Sequence, residues 1–135
     1  MIQRYTNWLP DLDPQSPVAL YEQLVESVAL AVSVGELAPG DPLPSVRTLA
    51  AKLRINPNTA ARSLREMERS GLARPVRGVG SVVADEASVR AAARARQVLE
   101  RELDATVAVA RRLGLGLDAL TEALTRRWKE TQRVD

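Results

Sequence analysis

Of the 135 residues, 45% are hydrophobic but only 3% are aromatic, so the core must consist mainly of Leu, Val and Ala, which favours helices over a β-sandwich. The absence of cysteine and histidine excludes disulfides, zinc sites of the usual Cys/His type, and Ser-His-Asp or Cys-His catalysis. No apolar run approaches the roughly 20 residues of a membrane span, and Met1–Pro10 lacks the apolar stretch of a signal peptide. We therefore expect a soluble, cytoplasmic protein with no cofactor, no metal and no membrane partner.

The net charge is only +2, but the charges are unevenly distributed along the chain. Residues 1–46 carry one base and six acids, residues 47–77 carry eight bases and two acids, and residues 78–135 carry ten bases and nine acids. A run of charge is commonly a solvated helix face. A basic middle segment is also what a polyanionic partner such as nucleic acid requires. Charge alone leaves both interpretations open.

The first predicted element is a helix that begins at Val18 and ends near Gly35, because the apolar residues between them follow the 3.6-residue period. Its apolar positions are Leu20, Leu24, Val28, Ala31 and Val32. Residues 38–44 include three prolines and therefore cannot be helical. We predict that they form a rigid loop.

Two short helices are predicted to follow this loop. Ser45 is the expected N-cap of the first helix, and this helix continues to Leu53. Asn56 is the expected N-cap of the second, with Pro57 at the first helical position. Gly71 supplies a left-handed cap at its end. Two short helices separated by a brief turn are typical of a helix-turn-helix.

The pattern then changes from helical to β-prone. Residues 72–76 and 81–84 are short β-prone runs on either side of Arg77-Gly78-Val79-Gly80, which predicts a β-hairpin with a glycine-rich tip. Three helices and a hairpin make the winged variant of the helix-turn-helix. We assign this domain to residues 1–84.

Residues 85–135 are predicted to form a helical hairpin. Its first helix would start at Glu86 and run for about 28 residues, compared with a mean of about 11–12 in globular proteins. Its apolar stripe begins with Val89 and Ala92 and continues through Val98 or Leu99. A shorter helix follows a glycine turn. The apolar face exceeds what two helices can bury in each other, so it needs a partner surface.

Four blocks of this sequence resemble the GntR family of bacterial transcription regulators. They are Ala19–Leu24, Gly35–Arg47, Asn56–Thr59 and Arg77–Gly80, in the family's order and spacing. The short tail that follows resembles that of the YtrA-like subfamily, where it mediates dimerisation. The resemblance implies a mainly α fold in which a winged helix-turn-helix precedes a two-helix dimerisation hairpin. It also implies a homodimeric repressor that binds a palindromic double-stranded DNA operator, for example that of an ABC-transporter operon or of its own gene.

The resemblance assigns base contacts to the second and third helices. Arg47, one turn into the second helix, would enter the major groove and contact guanine, with a surface salt bridge as the alternative. Asn58 and Thr59 lie in the first turn of the third helix, which in a recognition helix meets base edges or phosphate. Arg62 lies on the same face and would reach phosphate or base. Many members of the family carry an Arg one residue earlier, where this chain has Ala61.

Further contacts are expected along the DNA backbone and in the minor groove. Arg65 and Arg69 would contact phosphate or pair with Glu66 or Glu68. At the wing tip, the narrow minor groove would favour Arg77, with the backbone of Gly78 beside it. Capping alone is the alternative role of Asn56. The predicted DNA-binding set is Ser45, Arg47, Asn56, Asn58, Thr59, Arg62, Arg65, Arg77 and Gly78.

The C-terminal hairpin is expected to join two copies of the chain. The residues predicted for dimerisation are Val98, Leu99, Leu103, Val107, Leu113, Leu117, Leu120, Leu124 and Trp128. For Trp128 the alternative is a place in the core, and the sequence does not decide the role of Trp8. It also does not identify a small-molecule effector, for which a pocket between protomers is left open.

Three other functions are alternatives to this one. An enzyme would need a grouped acid–base pair, which the sequence does not show. An architectural DNA binder would need a net charge higher than +2. The main alternative is a winged-helix protein–protein adaptor that has lost DNA binding.

Overall fold

The computed structural model describes residues 8–134, which divide into two compact units, one ending at Val98 and the other beginning at Leu99. The helices and strands are α1 (Leu20–Ser33), α2 (Val46–Leu53), α3 (Pro57–Arg69), β1 (Ala73–Val76), β2 (Gly80–Val83), α4 (Ala87–Arg112) and α5 (Leu117–Val134). The predicted fold class, mainly α with one small β-hairpin, is confirmed. Residues 1–7 and Asp135, which the predicted domains include, lie outside the described part of the chain.

Side chains cap both helices of the helix-turn-helix, as the sequence predicts. The Ser45 hydroxyl accepts a hydrogen bond from the backbone N–H of Thr48 at 3.1 Å and so caps α2. The side-chain oxygen of Asn56 accepts one from the N–H of Asn58 at 2.8 Å and caps α3, which begins with Pro57. Each cap satisfies a backbone donor that the first turn of a helix leaves without a partner.

The core of the first unit forms around α3, which packs against α1, α2 and β1. Its large, fully buried apolar side chains are Leu24, Val25, Val28, Leu37, Leu49, Met67, Leu72 and Val83. Trp8 is 6% exposed and belongs to the same core, which settles a position that the sequence left undecided.

The loop predicted at residues 38–44 is also part of the small sheet. In the hairpin, β1 and β2 are antiparallel. Pro42 forms an isolated antiparallel bridge with Val82, and the N–H of Leu43 donates to the carbonyl of Ser81 at 2.9 Å. These bonds attach the wing to the segment that leads directly into α2. Backbone hydrogen bonds therefore hold the hairpin beside the start of α2.

The first unit extends past Ala84, the predicted end of the winged domain, as far as Val98. Ala87 and Ala91 on α4 are fully buried in its core, so the first turns of this helix belong to the first unit. Val89 and Ala92, which begin the predicted apolar stripe of this helix, are both exposed.

The second unit joins the remainder of α4 to α5 through the turn at residues 113–116. Gly114 has a φ of 75°, a left-handed conformation that glycine adopts without strain. Ala110 is buried beside this turn. The exposed apolar side chains of this unit include Leu99, Leu103, Val107, Val109, Leu113, Leu117, Leu124 and Trp128. Among the helices of residues 8–134, none is long and apolar enough to cross a membrane.

Candidate nucleic-acid interface

All nine residues predicted to bind DNA lie in the first unit. Eight are exposed and one, Thr59, is half-buried. They come from the start of α2, the exposed face of α3 and the turn between β1 and β2. Packing of α3 on α2 and on β1 holds these three elements in one rigid arrangement.

At the N-terminus of α3, polar side chains and backbone N–H groups are exposed next to each other. The side-chain oxygen of Asn56 is occupied by the cap, which leaves its amide NH₂ group facing solvent. Asn58 is exposed in the following turn, next to Thr59. A helix N-terminus also carries a partial positive charge that favours phosphate. This turn can therefore contact both base edges and the DNA backbone.

Three of the predicted arginines are available to a partner. Arg47, Arg65 and Arg77 are exposed, and within residues 8–134 none of them makes an ion pair or a side-chain hydrogen bond. For Arg47 the surface salt bridge considered as an alternative is therefore not formed in the described chain. At the wing tip, Gly78 has a φ of 80° and open space where a Cβ would lie, so a partner can approach its backbone closely.

Arg69 takes the ion-pair role that the sequence left open for it. Its guanidinium forms an ion pair and hydrogen bonds with Glu66, one turn earlier on α3. This hydrogen bonding holds the pKa of Glu66 below its ordinary value and raises the pKa of Arg69. Glu68 instead accepts a hydrogen bond from the Ser81 hydroxyl at 2.6 Å, which links α3 to β2.

Arg62 has a contact that sequence reasoning missed. Its guanidinium carbon lies 3.9 Å from the centre of the Tyr21 ring on α1. The two residues are far apart in the sequence, and no local pattern relates them. The packing of α1 on α3 brings them together.

A winged helix-turn-helix whose recognition helix is capped, exposed and basic defines a class of protein, the DNA-binding transcription regulators. The profile of the family described as "Bacterial regulatory proteins, gntR family" matches residues 20–83. Similar proteins match a longer part of the chain than residues 20–83.

Two relatives come from Bacillus subtilis (strain 168). The HTH-type transcriptional repressor YtrA is 32% identical over 111 residues, which span 82% of this chain and 85% of YtrA. The HTH-type transcriptional regulator YhcF is 35% identical over 111 residues, which span 82% of this chain and 90% of YhcF. A solved structure of a GntR family transcriptional regulator from Listeria monocytogenes has a TM-score of 0.69 at 25% identity and covers 85% of this chain and 98% of its own.

The chain therefore belongs to the GntR family of bacterial regulatory proteins. The resemblance to this family and to its YtrA-like members is confirmed. The protein is a DNA-binding transcription regulator and not an enzyme, and its family favours DNA binding over an adaptor role.

Proposed function

We propose that the chain acts in the cytoplasm as a homodimeric repressor that binds a palindromic operator. The observation that carries the proposal is that each of the two units has an exposed surface of a different kind. The first unit presents, on α2, α3 and the wing, exposed arginines without partners in the described chain. The second presents an apolar helical face.

In this proposal the N-terminal turn of α3 enters the major groove. Asn58 and Thr59 meet base edges, and Arg47 makes a bidentate contact with guanine. Arg65 contacts phosphate, because it is exposed and has no acidic partner in the described chain. Arg77 and the backbone of Gly78 approach the minor groove. The base contacts give specificity, and the phosphate contacts set the orientation.

The second unit is proposed to dimerise through its apolar face. Leu103 is 45% exposed, Leu124 58% and Trp128 66%, and such a surface gains roughly 25 cal/mol for each Å² of apolar area removed from water. Two apolar hollows of about 410 and 340 Å³ flank the glycine turn, and both include Leu115 and Leu120 in their walls. A second copy brings the same face, so a two-fold axis lets each copy fill the hollows of the other.

Repression and the target genes form the last part of the proposal. The similar protein YtrA is a transcriptional repressor, which supports the same sign of regulation here. A dimer that occupies a promoter would block transcription by occlusion. The proposed target is an ABC-transporter operon or the chain's own gene.

Selection from a library of randomised DNA duplexes tests the central claim. We expect the full-length chain to enrich two inverted half-sites, separated by about 10–10.5 base pairs or a multiple of this spacing. A single half-site in the enriched duplexes would contradict the dimer, and a lack of enrichment would contradict sequence-specific binding. A reporter gene with the enriched site in its promoter should lose expression when the chain is produced, whereas increased expression would contradict repression.

A further inference from the structure

The contact between Tyr21 and Arg62 joins the recognition helix to α1. The Arg62 guanidinium lies over the Tyr21 ring with 3.9 Å between its central carbon and the ring centre. A cation within about 6 Å of an aromatic ring face is attracted by the quadrupole of the ring. The ring itself is half-buried, and its hydroxyl donates to the Glu22 carboxylate at 3.1 Å. Tyr21 is therefore a fixed platform on which Arg62 rests.

The stack leaves the hydrogen-bonding groups of Arg62 available. Within the described residues Arg62 makes no ion pair or side-chain hydrogen bond, so its five N–H donors are available to a ligand. Arg62 remains exposed to solvent. Arg69, in contrast, directs its donors to Glu66.

Arg65, on the same helix, is an arginine with no contact in the described chain that would order its side chain before DNA binds. It is exposed and has no partner in the described chain, so it must lose its rotamer freedom when it binds a ligand. Part of this ordering is already complete for Arg62, because its guanidinium is held before DNA arrives. An ordered side chain loses less conformational entropy in the complex.

We propose that Tyr21 is a positioning residue for DNA recognition, which holds Arg62 so that its N–H edge meets a phosphate or a base. This inference rests on the proposed sequence-specific DNA binding. Tyr21 acts through Arg62 and does not itself contact DNA.

The test measures the affinity of variants for the duplex that the wild-type chain selects. Tyr21→Leu removes the aromatic face but keeps an apolar side chain, and we expect it to weaken binding about two- to fivefold. Tyr21→Phe restores the ring without the hydroxyl and should recover most of that loss. Arg62→Lys keeps the charge but loses the planar stack, so it should weaken binding by a similar factor. Thermal melting checks that each variant is folded.

A double-mutant cycle separates positioning from a structural role. In an Arg62→Ala background, Tyr21→Leu should have no further effect on affinity, because the group that it positions is gone. An equal loss in both backgrounds would overturn the inference, as would a Tyr21→Leu variant that binds as tightly as the wild type or more tightly. If the wild type selects no duplex, the proposed function itself fails. If it selects one but the cycle shows no coupling, only the role of Tyr21 fails.

Discussion

At the scale of single residues, Arg54 has an unusual conformation in the turn between α2 and α3. It is the one non-glycine residue with positive φ in the described chain, at 55°. The left-handed region costs an L-residue roughly 1–2 kcal/mol, and a glycine at this position would relieve that strain. Part of the relief is lost again, because glycine has greater conformational freedom in the unfolded chain. We expect Arg54→Gly to raise the free energy of unfolding by about 0.5–1 kcal/mol, measured by urea denaturation.

Gly71 is the matched control for that change. Its φ is 84°, and a Cβ there would lie 3.3 Å from Cγ of Arg90. Gly71→Ala should therefore lower the free energy of unfolding. A destabilised Arg54→Gly variant would show that the Arg54 side chain contributes more than the backbone strain costs.

Arg47 and Arg65 are expected to affect DNA binding in different ways. Arg47→Ala should reduce discrimination between the selected duplex and one with a changed guanine by about 1–3 kcal/mol, because a bidentate base contact is lost. Arg65→Ala should weaken binding to all duplexes alike and lower the salt slope by about one. Titrations at several salt concentrations on both duplexes measure these effects. If Arg47→Ala keeps its full sequence preference, the proposed guanine contact is wrong.

At the scale of elements, α4 contributes to both units. Its first turns bury Ala87 and Ala91 completely in the first unit. A chain truncated after Ala84 loses these methyl groups, whereas a chain truncated after Val98 keeps them. We expect the longer fragment to have the higher free energy of unfolding, by roughly 1.5 kcal/mol from the burial of the two methyl groups.

Urea denaturation compares the stability of the two fragments, and sedimentation gives their oligomeric states. Both should be monomers, because both lack every predicted dimerisation residue beyond Val98. Equal stability would contradict a structural role for the start of α4. A fragment that still forms a dimer would contradict the role of residues 99–134.

At the scale of the whole molecule, the proposed dimerisation would convert two weak half-site contacts into one operator complex. Leu103 and Val89 lie on the same helix and are both exposed, at 45% and 75%, but only Leu103 belongs to the proposed interface. Leu103→Lys should weaken the dimer at least about tenfold, because a charge would be buried without a partner. Operator affinity should fall with it, since each half-site is then bound alone.

Val89→Lys is the control, because it adds the same charge to α4 outside the proposed face. It should leave the oligomeric state unchanged in sedimentation, and circular dichroism should show that both variants remain helical. The proposed interface would be wrong if Leu103→Lys sedimented like the wild-type dimer, or if both variants dissociated equally.

The structural features that the sequence determined by itself are local ones. The caps at Ser45 and Asn56 and the left-handed Gly71 depend on residues within one or two turns, so turn chemistry and periodicity were sufficient to predict them. The same local signals predicted the hairpin and put eight of the nine candidate DNA-binding residues at exposed positions of the helix-turn-helix and wing.

Tertiary structure alone decided the contacts between distant parts of the chain. The bridge from Pro42 to Val82, the stack of Arg62 on Tyr21 and the burial of Ala87 in the first unit join residues that no short-range pattern relates. Each depends on which surfaces remain in contact after the helices have packed. Local hydrogen bonds and backbone angles specify the elements, but shape complementarity between their faces decides which side chains meet.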